Sequence, residues 1–239
     1  MALPKLNVTP RFELTIPSTG KKVRFRSYLV KEEKLLLLAM ESKDVSQMVS
    51  AMIDTIEACA EDELNIKRLT TFDVEYLFTQ IRAKSVGEVI KLNLICKECD
   101  HRTEVPINIE NVVVNVPKVD KIIVLTPEIS IEMKYPSYMD VMKSDFLEGL
   151  EKGDKQTTAM FEMTIKCINA ILTPDERFSA DDSTDEELMD FVESLTTDQF
   201  SKLTVFMQSM PELVSETDFV CEKCGAENHI KLKGMADFF

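Results

Sequence analysis

The chain has 239 residues, 44% of them apolar, which suffices for one large domain or two small ones and argues against global disorder. Its 42 acidic residues against 28 basic ones give a formal net charge of -14. A chain this acidic repels phosphate backbones and anionic lipid surfaces, so we expect neither nucleic acid nor a membrane as its partner.

The first segment predicts a β-hairpin. Apolar and polar residues alternate over 12–16 and again over 23–25, and residues 17–20 between the two runs have turn chemistry. The hairpin also carries a small basic cluster, formed by Lys21, Lys22, Arg24 and Arg26. Because the cluster is small, contact with an acidic protein partner explains it at least as well as nucleic acid does.

Helical patterns follow the hairpin. Apolar residues recur at i, i+3 and i+4 over 45–56, behind Asp44 as the N-cap, and again over 74–81. The apolar run from Leu35 to Leu38 predicts a shorter helix that is buried on several sides.

From residue 88 the apolar pattern changes to a period of two, which predicts strands. The strand-like runs are 89–94, 105–109, 112–116, 122–125 and 129–133. After Pro136 the helical pattern returns. It predicts a buried helix over 157–172, an acidic helix that begins near Ser183-Thr184, and a last helix that stops at Pro211.

Two Cys-x-x-Cys pairs lie between strand-like runs, Cys96 with Cys99 and Cys221 with Cys224. Two thiolates separated by two residues can bind one metal ion from a tight turn, and two such turns complete a tetrahedral site with Zn–S bonds of about 2.3 Å. Gly225 follows the second pair, where a positive φ angle is often needed. We therefore expect one structural zinc ion, whose closed ligand set leaves no position for catalysis.

The distance between the two pairs along the chain is unusual. Cys99 and Cys221 are 122 positions apart, whereas zinc ribbons usually separate their pairs by roughly 15–20 residues. Two separate disulfides, a redox pair and unrelated buried thiols are the alternatives. No secretory signal follows Met1, so we expect a reducing cytosol, where paired motifs favour zinc over disulfides.

The other candidate metal ligands and nucleophiles are few. His101 and His229 lie near the cysteine pairs and could each replace a thiol ligand, although four available thiols make surface histidines the simpler expectation. Cys59 and Cys167 fall in apolar helical segments and are expected to be small core residues rather than nucleophiles. No nucleotide-binding or hydrolase motif appears, so we expect no enzymatic activity.

These patterns together predict an α+β protein. Residues 1–87 form an N-terminal hairpin and a helical body. Residues 88–110 and 214–239 form a split zinc ribbon with a C-terminal tail. Residues 111–213 form an inserted, mainly helical α/β region between the two halves of the ribbon.

Several segments of the chain resemble a known family. They are residues 12–22 (FELTIPSTGKK), 29–34 (LVKEEK), 71–78 (TFDVEYLF) and 82–88 (RAKSVGE). With the cysteine pairs and the ending Asp237-Phe238-Phe239, they resemble the baseplate hub assembly proteins of T-even-type contractile-tailed bacteriophages over nearly the full length.

The resemblance implies a non-enzymatic assembly chaperone or hub component that binds other phage baseplate hub proteins. The implied location is the cytoplasm of the infected host, and both incorporation into the virion tail and the oligomeric state are left open. Phe238 and Phe239 are candidates either to dock in a partner's pocket or to fold back on the chain's own core.

Other classes of function stay open beside this one. They are a zinc-ribbon protein that binds nucleic acid or regulates transcription, a redox or metalloenzyme that uses the Cys-x-x-Cys pairs, and a capsid or tail subunit with no chaperone role.

Overall fold

The computed structural model describes residues 9–42, 44–143, 156–234 and 237–238. The chain divides into two compact units. Unit 1 consists of Met1–Ile66, Phe72–Asn115 and Glu212–Phe239, and unit 2 of Lys67–Thr71 and Val116–Pro211. Helix and sheet occur in both units, so the expected mixture of the two is confirmed. The predicted insertion, residues 111–213, covers nearly all of unit 2.

Unit 1 is built from helices and short antiparallel strand pairs. Its helices are α1 (Val30–Ser42), α2 (Val45–Cys59) and α3 (Thr71–Val86). Strand β1 (Arg11–Thr15) pairs with β2 (Lys22–Arg26), and β3 (Val89–Ile95) pairs with β4 (Arg102–Asn108). A three-stranded sheet contains β5 (Val113–Asn115), β10 (Glu212–Val220) and β11 (Glu227–Lys233), with β10 in the middle.

The predicted N-terminal hairpin is confirmed, because its alternating apolar side chains share one buried face. Val23 and Phe25 are fully buried, and Leu14 lies opposite Val23 in the pairing register. The ring of Phe12 stacks on that of Phe25, with 6.3 Å between their centroids. Gly20 in the turn has a φ angle of 69°, a left-handed conformation that glycine adopts without a steric penalty.

The helices predicted over 45–56 and 74–81 are confirmed as α2 and α3. Asp44 caps α2, because its carboxylate accepts hydrogen bonds from the backbone N–H groups of Ser46 at 2.9 Å and Gln47 at 3.2 Å. These two bonds satisfy donors that have no partner inside the helix.

The predicted burial of the apolar run in α1 is wrong. Leu35, Leu37 and Leu38 are each more than half exposed, whereas the most buried positions of the helix are Glu32 and Ala39. A continuous apolar run gives no periodic signal for which side faces the core, so the local sequence could not show this orientation.

Glu32 fixes the start of α1. Its carboxylate, only 3% exposed as a residue, accepts a hydrogen bond from Arg26 Nη2 and another from the backbone N–H of Leu29, each at 2.8 Å. Burial alone would raise the pKa of Glu32, but the hydrogen bonds from Arg26 and Leu29 outweigh it and lower that pKa below its usual value. The ionised carboxylate therefore ties the end of β2 to the first turn of α1.

Unit 2 is organised around a four-stranded antiparallel sheet. In sheet order its strands are β6 (Ile122–Val124), β7 (Ser130–Met133), β8 (Ile168–Leu172) and β9 (Arg177–Ser179). The helices described in this unit are α4 (Tyr138–Lys143), α5 (Gln156–Lys166), α6 (Asp185–Glu193) and α7 (Thr197–Gln208). One apolar cluster joins sheet and helices, and it includes Ile131, Ile168, Leu188, Leu203 and Phe206.

The helix predicted over 157–172 is correct only in its first part. Helix α5 ends at Lys166, and the next residues form β8, which pairs with β7 on one side and β9 on the other. Five mostly apolar residues fit a strand or a buried helix equally well, and the pairing that decides between them comes from distant segments. The acidic helix is confirmed as α6, with Thr184 and Glu187 forming a capping box.

The long segment of unit 2 leaves and re-enters unit 1 at paired strands. Asn115 at the end of β5 lies opposite Glu212 at the start of β10, and Val113 lies opposite Val214. Neighbouring strands are about 5 Å apart, so the two ends of segment 116–211 are held close together.

None of the helices described is long and apolar enough to cross a lipid bilayer.

Replacing Glu32 with Gln tests the anchor of α1. The change leaves the Arg26 guanidinium without its anionic partner, and we expect unfolding to become easier by about 3 kcal/mol at neutral pH. Urea unfolding followed by circular dichroism measures this loss. Because the folded-state pKa of Glu32 is lowered, its stabilisation is present above the ordinary carboxyl pKa and is lost as the pH falls through the folded-state value.

The matched control is Glu41→Gln, an exposed position on the same helix, where the expected change is below about 0.5 kcal/mol. Equal unfolding midpoints for Glu32→Gln and the wild type would contradict the role given to this carboxylate.

Candidate metal centre

Both cysteine pairs occupy turns at the ends of β-hairpins in unit 1. Residues 96–101 join β3 to β4, and residues 221–226 join β10 to β11. We refer to these turns as knuckle 1 and knuckle 2. The strands pair in register up to the edge of each turn, with Ile95 opposite Arg102 and Val220 opposite Glu227. Regular antiparallel pairing therefore continues up to both turns and fixes where each turn begins and ends.

The two knuckles have the same backbone geometry. In knuckle 1 the backbone N–H of Cys96 donates to the carbonyl oxygen of His101 at 2.9 Å. In knuckle 2 the backbone N–H of Cys221 donates to the carbonyl oxygen of Ala226, also at 2.9 Å. The resemblance between the two turns follows from the identical Cys-x-x-Cys spacing.

Each knuckle also contains one residue with a positive φ angle, directly after its second cysteine. Gly225 has φ 72°, as the sequence predicts, and Asp100 has φ 55° at the equivalent position of knuckle 1. Aspartate is one of the few non-glycine residues that adopt this region with moderate cost. No sequence pattern predicted the positive φ angle of Asp100.

The four cysteine side chains of the knuckles converge on one point. The Sγ atoms of Cys96 and Cys224 are 3.7 Å apart, as are those of Cys99 and Cys221, and all four Sγ atoms lie within 4.8 Å of one another. A tetrahedral ion with metal–sulfur bonds of about 2.3 Å needs its sulfurs about 3.8 Å apart. The separation is far beyond a disulfide bond of about 2.05 Å, and all six cysteines are free thiols. The site can therefore hold a metal ion.

Backbone amides and neighbouring thiols shift the pKa values of Cys96, Cys221 and Cys224 in different directions. The N–H of Glu98, 3.4 Å from Cys96 Sγ, is the main cause of a lowered pKa at Cys96. The N–H of Cys224 is the main cause at Cys221, whose pKa falls to about 6. The N–H of Ala226 lowers the pKa of Cys224, but hydrogen bonding to Cys99, burial and the remaining thiols outweigh it and raise that pKa to about 12. Amides directed at sulfur stabilise thiolates, which is the form that binds a metal.

Sequence reasoning missed one buried polar residue beside the sulfurs, Asn228 on β11. Its side-chain Nδ2 lies 3.5 Å from Cys96 Sγ, and its residue is only 4% exposed. A sequence signal did exist, because Asn228 occupies an inward position of a strand whose neighbours on that face are otherwise apolar. The sequence of β11 alone does not show that Asn228 contacts the other hairpin.

Neither histidine belongs to the cysteine cluster, whose described members are all thiols. His101 contributes its backbone carbonyl to knuckle 1, and the Nδ1 atom of His229 lies 2.6 Å from Asp218 Oδ1 on the paired strand. Cys59 and Cys167 are fully buried elsewhere. Burial raises the pKa of the Cys59 thiol to about 11 and that of the Cys167 thiol to about 12, which suits core residues rather than nucleophiles.

The basic cluster on the N-terminal hairpin makes its contacts within the chain. Lys22 pairs with Glu13 at 2.8 Å, Arg24 with Asp62 at 2.6 Å and Arg26 with Glu32 at 2.8 Å. Lys21 Nζ donates to the backbone carbonyl of Glu63 at 3.0 Å. These partners reduce the positive charge that the cluster can offer to an acidic ligand.

The sequence offers the two C-terminal aromatics, Phe238 and Phe239, as candidate partner contacts. Phe238 is only 2% exposed, and the preceding residue, Asp237, accepts a hydrogen bond from the backbone N–H of Lys233 at 2.7 Å. Phe238 therefore packs within its own chain, the second of the two expectations, and a partner would have to displace it. Phe239 lies outside the described residues.

Comparison with protein families identifies the relationship. A family model described as T4 bacteriophage base plate protein matches residues 9–239. The chain belongs to this family. The match spans both cysteine pairs and both units, and it confirms the predicted relationship to T4-type baseplate proteins. No curated protein sequence and no solved structure matches the chain.

Replacing Cys221 with Ser in this baseplate protein tests the metal centre. Loss of one thiolate opens the tetrahedral set, so we expect metal content to fall from about one ion per chain to nearly none. We also expect a lower melting temperature and a looser fold, including the helices between the knuckles. Elemental analysis of protein purified under reducing conditions without chelators measures the first effect, and circular dichroism measures the second.

The control is Cys167→Ala, which removes a buried thiol from unit 2 and should leave the metal content unchanged. A wild-type protein that contains no metal under these conditions would refute the assignment of the site.

Proposed function

We propose that this protein is a non-enzymatic assembly chaperone or component of the phage baseplate hub, which binds other hub proteins on a zinc-stabilised scaffold. Membership of the T4 base plate family supports a role among baseplate proteins. The single observation that carries the interaction role is the outward-facing apolar surface of α1. We call this surface the α1 face, and its residues are Val30, Leu35, Leu37, Leu38 and Met40.

The α1 face reverses the usual pattern of a surface helix. Its members are between 50% and 79% exposed, while Glu32 and Ala39 occupy the inward positions. Singly exposed leucines are common on protein surfaces, but five exposed aliphatic residues on one short helix are typical of a binding site. The ion pair between Glu32 and Arg26 holds α1 in this orientation, so the surface is presented by a fixed helix.

A different baseplate protein suits the α1 face better than a second copy of this chain. Each chain carries a formal net charge of -14, and two such chains repel each other. A partner with an apolar groove and a neutral or basic rim avoids that repulsion and buries the exposed leucines.

Zinc is the metal that we propose for the four thiolates. Its tetrahedral preference matches the 3.7 Å contacts between sulfurs, and Zn²⁺ does not change its oxidation state. Iron also binds four thiolates, but it gives a coloured protein, so elemental analysis with an absorption spectrum distinguishes the two metals. Four protein ligands fill a zinc ion's coordination, which supports a structural role.

The location that we propose is the cytoplasm of the infected host during assembly. A hub component would remain in the finished particle, whereas a chaperone that acts only during assembly would be absent from it. Mass spectrometry of purified virions and of infected-cell extracts separates these two forms of the proposal.

The main alternative is a zinc-ribbon protein that binds nucleic acid. The net charge and the internal pairing of the hairpin's basic residues weigh against it. Tight binding to DNA or RNA in a gel-shift assay at low salt would favour this alternative over hub assembly.

A double substitution on the α1 face, Leu37→Gln with Leu38→Gln, tests the proposed interaction. Glutamine keeps helix propensity and removes apolar surface, so the free protein should keep its stability within about 0.5 kcal/mol. We expect recovery of baseplate hub proteins with the tagged chain from infected cells to fall about tenfold or more, measured by quantitative mass spectrometry.

The control is Val205→Gln on α7, which removes an equally exposed aliphatic side chain from unit 2. Unchanged recovery with the α1 variant would show that this face is not the binding surface. Recovery of polymerase or nucleic acid instead of hub proteins would contradict the proposed function as a whole.

A further inference from the structure

We infer that Asn228 links the two knuckles independently of the metal and positions Cys96 for metal binding. This inference rests on the proposed zinc scaffold and adds a positioning residue to it. The residue comes from the strand that follows knuckle 2, yet most of its polar contacts are made with knuckle 1.

The side-chain amide of Asn228 uses both of its ends. Its Oδ1 accepts a hydrogen bond from the backbone N–H of Lys97 at 2.9 Å, in the turn of knuckle 1. Its Nδ2 donates to Cys96 Sγ at 3.5 Å and to the carbonyl oxygen of Ala226 at 3.0 Å, in knuckle 2. One side chain thus contacts the backbone of both turns and one of the four sulfurs.

A second contact joins the same two segments. The Nζ atom of Lys97 donates to the backbone carbonyl oxygen of His229 at 2.7 Å. Lys97 is therefore held by consecutive residues of β11, through its backbone by Asn228 and through its side chain by His229. None of these bonds requires an ion between the sulfurs.

The link is present on only one side of the pair of hairpins. Asn228 lies opposite Phe219 in the β10–β11 ladder, and Thr103 lies opposite Leu94 at the equivalent place in the β3–β4 ladder. Thr103 is also buried, but its hydroxyl has no hydrogen-bond partner among the described residues. A threonine hydroxyl is one bond from the branch point of its side chain, too short to repeat the contacts of an asparagine.

The chemistry of the contact explains the choice of amide. A neutral N–H donor directed at sulfur stabilises the thiolate and restricts the rotation of the Cys96 side chain, which lowers the cost of assembling the site. Aspartate has nearly the same shape, but it would place a carboxylate against the thiolate. The substitution Asn228→Asp therefore removes the N–H donor but fills the same space, so it separates the effect of hydrogen bonding from that of packing.

Zinc affinities of four proteins test the inference: wild type, Asn228→Ala, Asn228→Asp and the control Thr103→Val. They are measured by competition with a chromophoric chelator under reducing conditions. We expect both Asn228 variants to bind zinc about 10–100-fold more weakly and Thr103→Val to bind as the wild type does. Wild-type affinity in Asn228→Asp with a loss only in Asn228→Ala would indicate a packing role and would overturn the inference.

Amide hydrogen exchange of the metal-free, reduced wild-type protein tests the link without any substitution. We expect the backbone N–H of Lys97 to remain protected, because its bond to Asn228 needs no metal. Free exchange of this amide in the metal-free protein would overturn the inference. Failure of the wild type to bind zinc would instead contradict the proposed scaffold, and the exchange result would still decide whether Asn228 joins the knuckles.

Discussion

The fold of unit 1 brings together two hairpin turns that lie far apart along the chain, knuckle 1 in its second segment and knuckle 2 in its third. Knuckle 1 follows the helices of the N-terminal region, whereas knuckle 2 is formed only after the whole of segment 116–211. Four thiols within 4.8 Å of one another are a costly arrangement without a counter-charge, since ionised sulfurs repel. A cation bound there would remove that repulsion and hold the two turns together. The ladders behind the turns, β3–β4 and β10–β11, then share one fixed end.

The candidate metal centre and the α1 face have opposite character. Four thiols around one ion would form a closed ligand set, which would add stability and leave no coordination position open to a partner. The α1 face does the opposite, since it leaves leucines in water at some cost in free energy while Glu32 occupies the inward position. The ion pair with Arg26 compensates the buried carboxylate that this orientation requires. Rigidity near the knuckles and apolar exposure on α1 together suit a protein that works through its surfaces.

Local patterns predicted most of the elements, and the misses have physical causes. The first hairpin, the cap of α2 by Asp44 and the two Cys-x-x-Cys turns depend on short-range chemistry, so they could be derived from the sequence. Strand β8 depends on pairing with two distant strands, which no window around residues 168–172 contains. The exposure of α1 could not be predicted either, because a continuous apolar run has the same sequence pattern whether it is buried or exposed. Asn228 was missed since two of its three hydrogen-bond partners lie in the other hairpin.

The pairing of β5 with β10 has a consequence for the entropy of chain closure. Closing a flexible loop costs about (3/2)RT ln n, which is large when Cys99 and Cys221 are 122 positions apart. Once Asn115 is paired with Glu212, only the stretches from Cys99 to Asn115 and from Glu212 to Cys221 separate the knuckles, roughly 25 residues in all. The closure cost then falls by about 1.4 kcal/mol. Once that pairing has formed, the length of the chain between those strands hardly affects the closure entropy of the metal site.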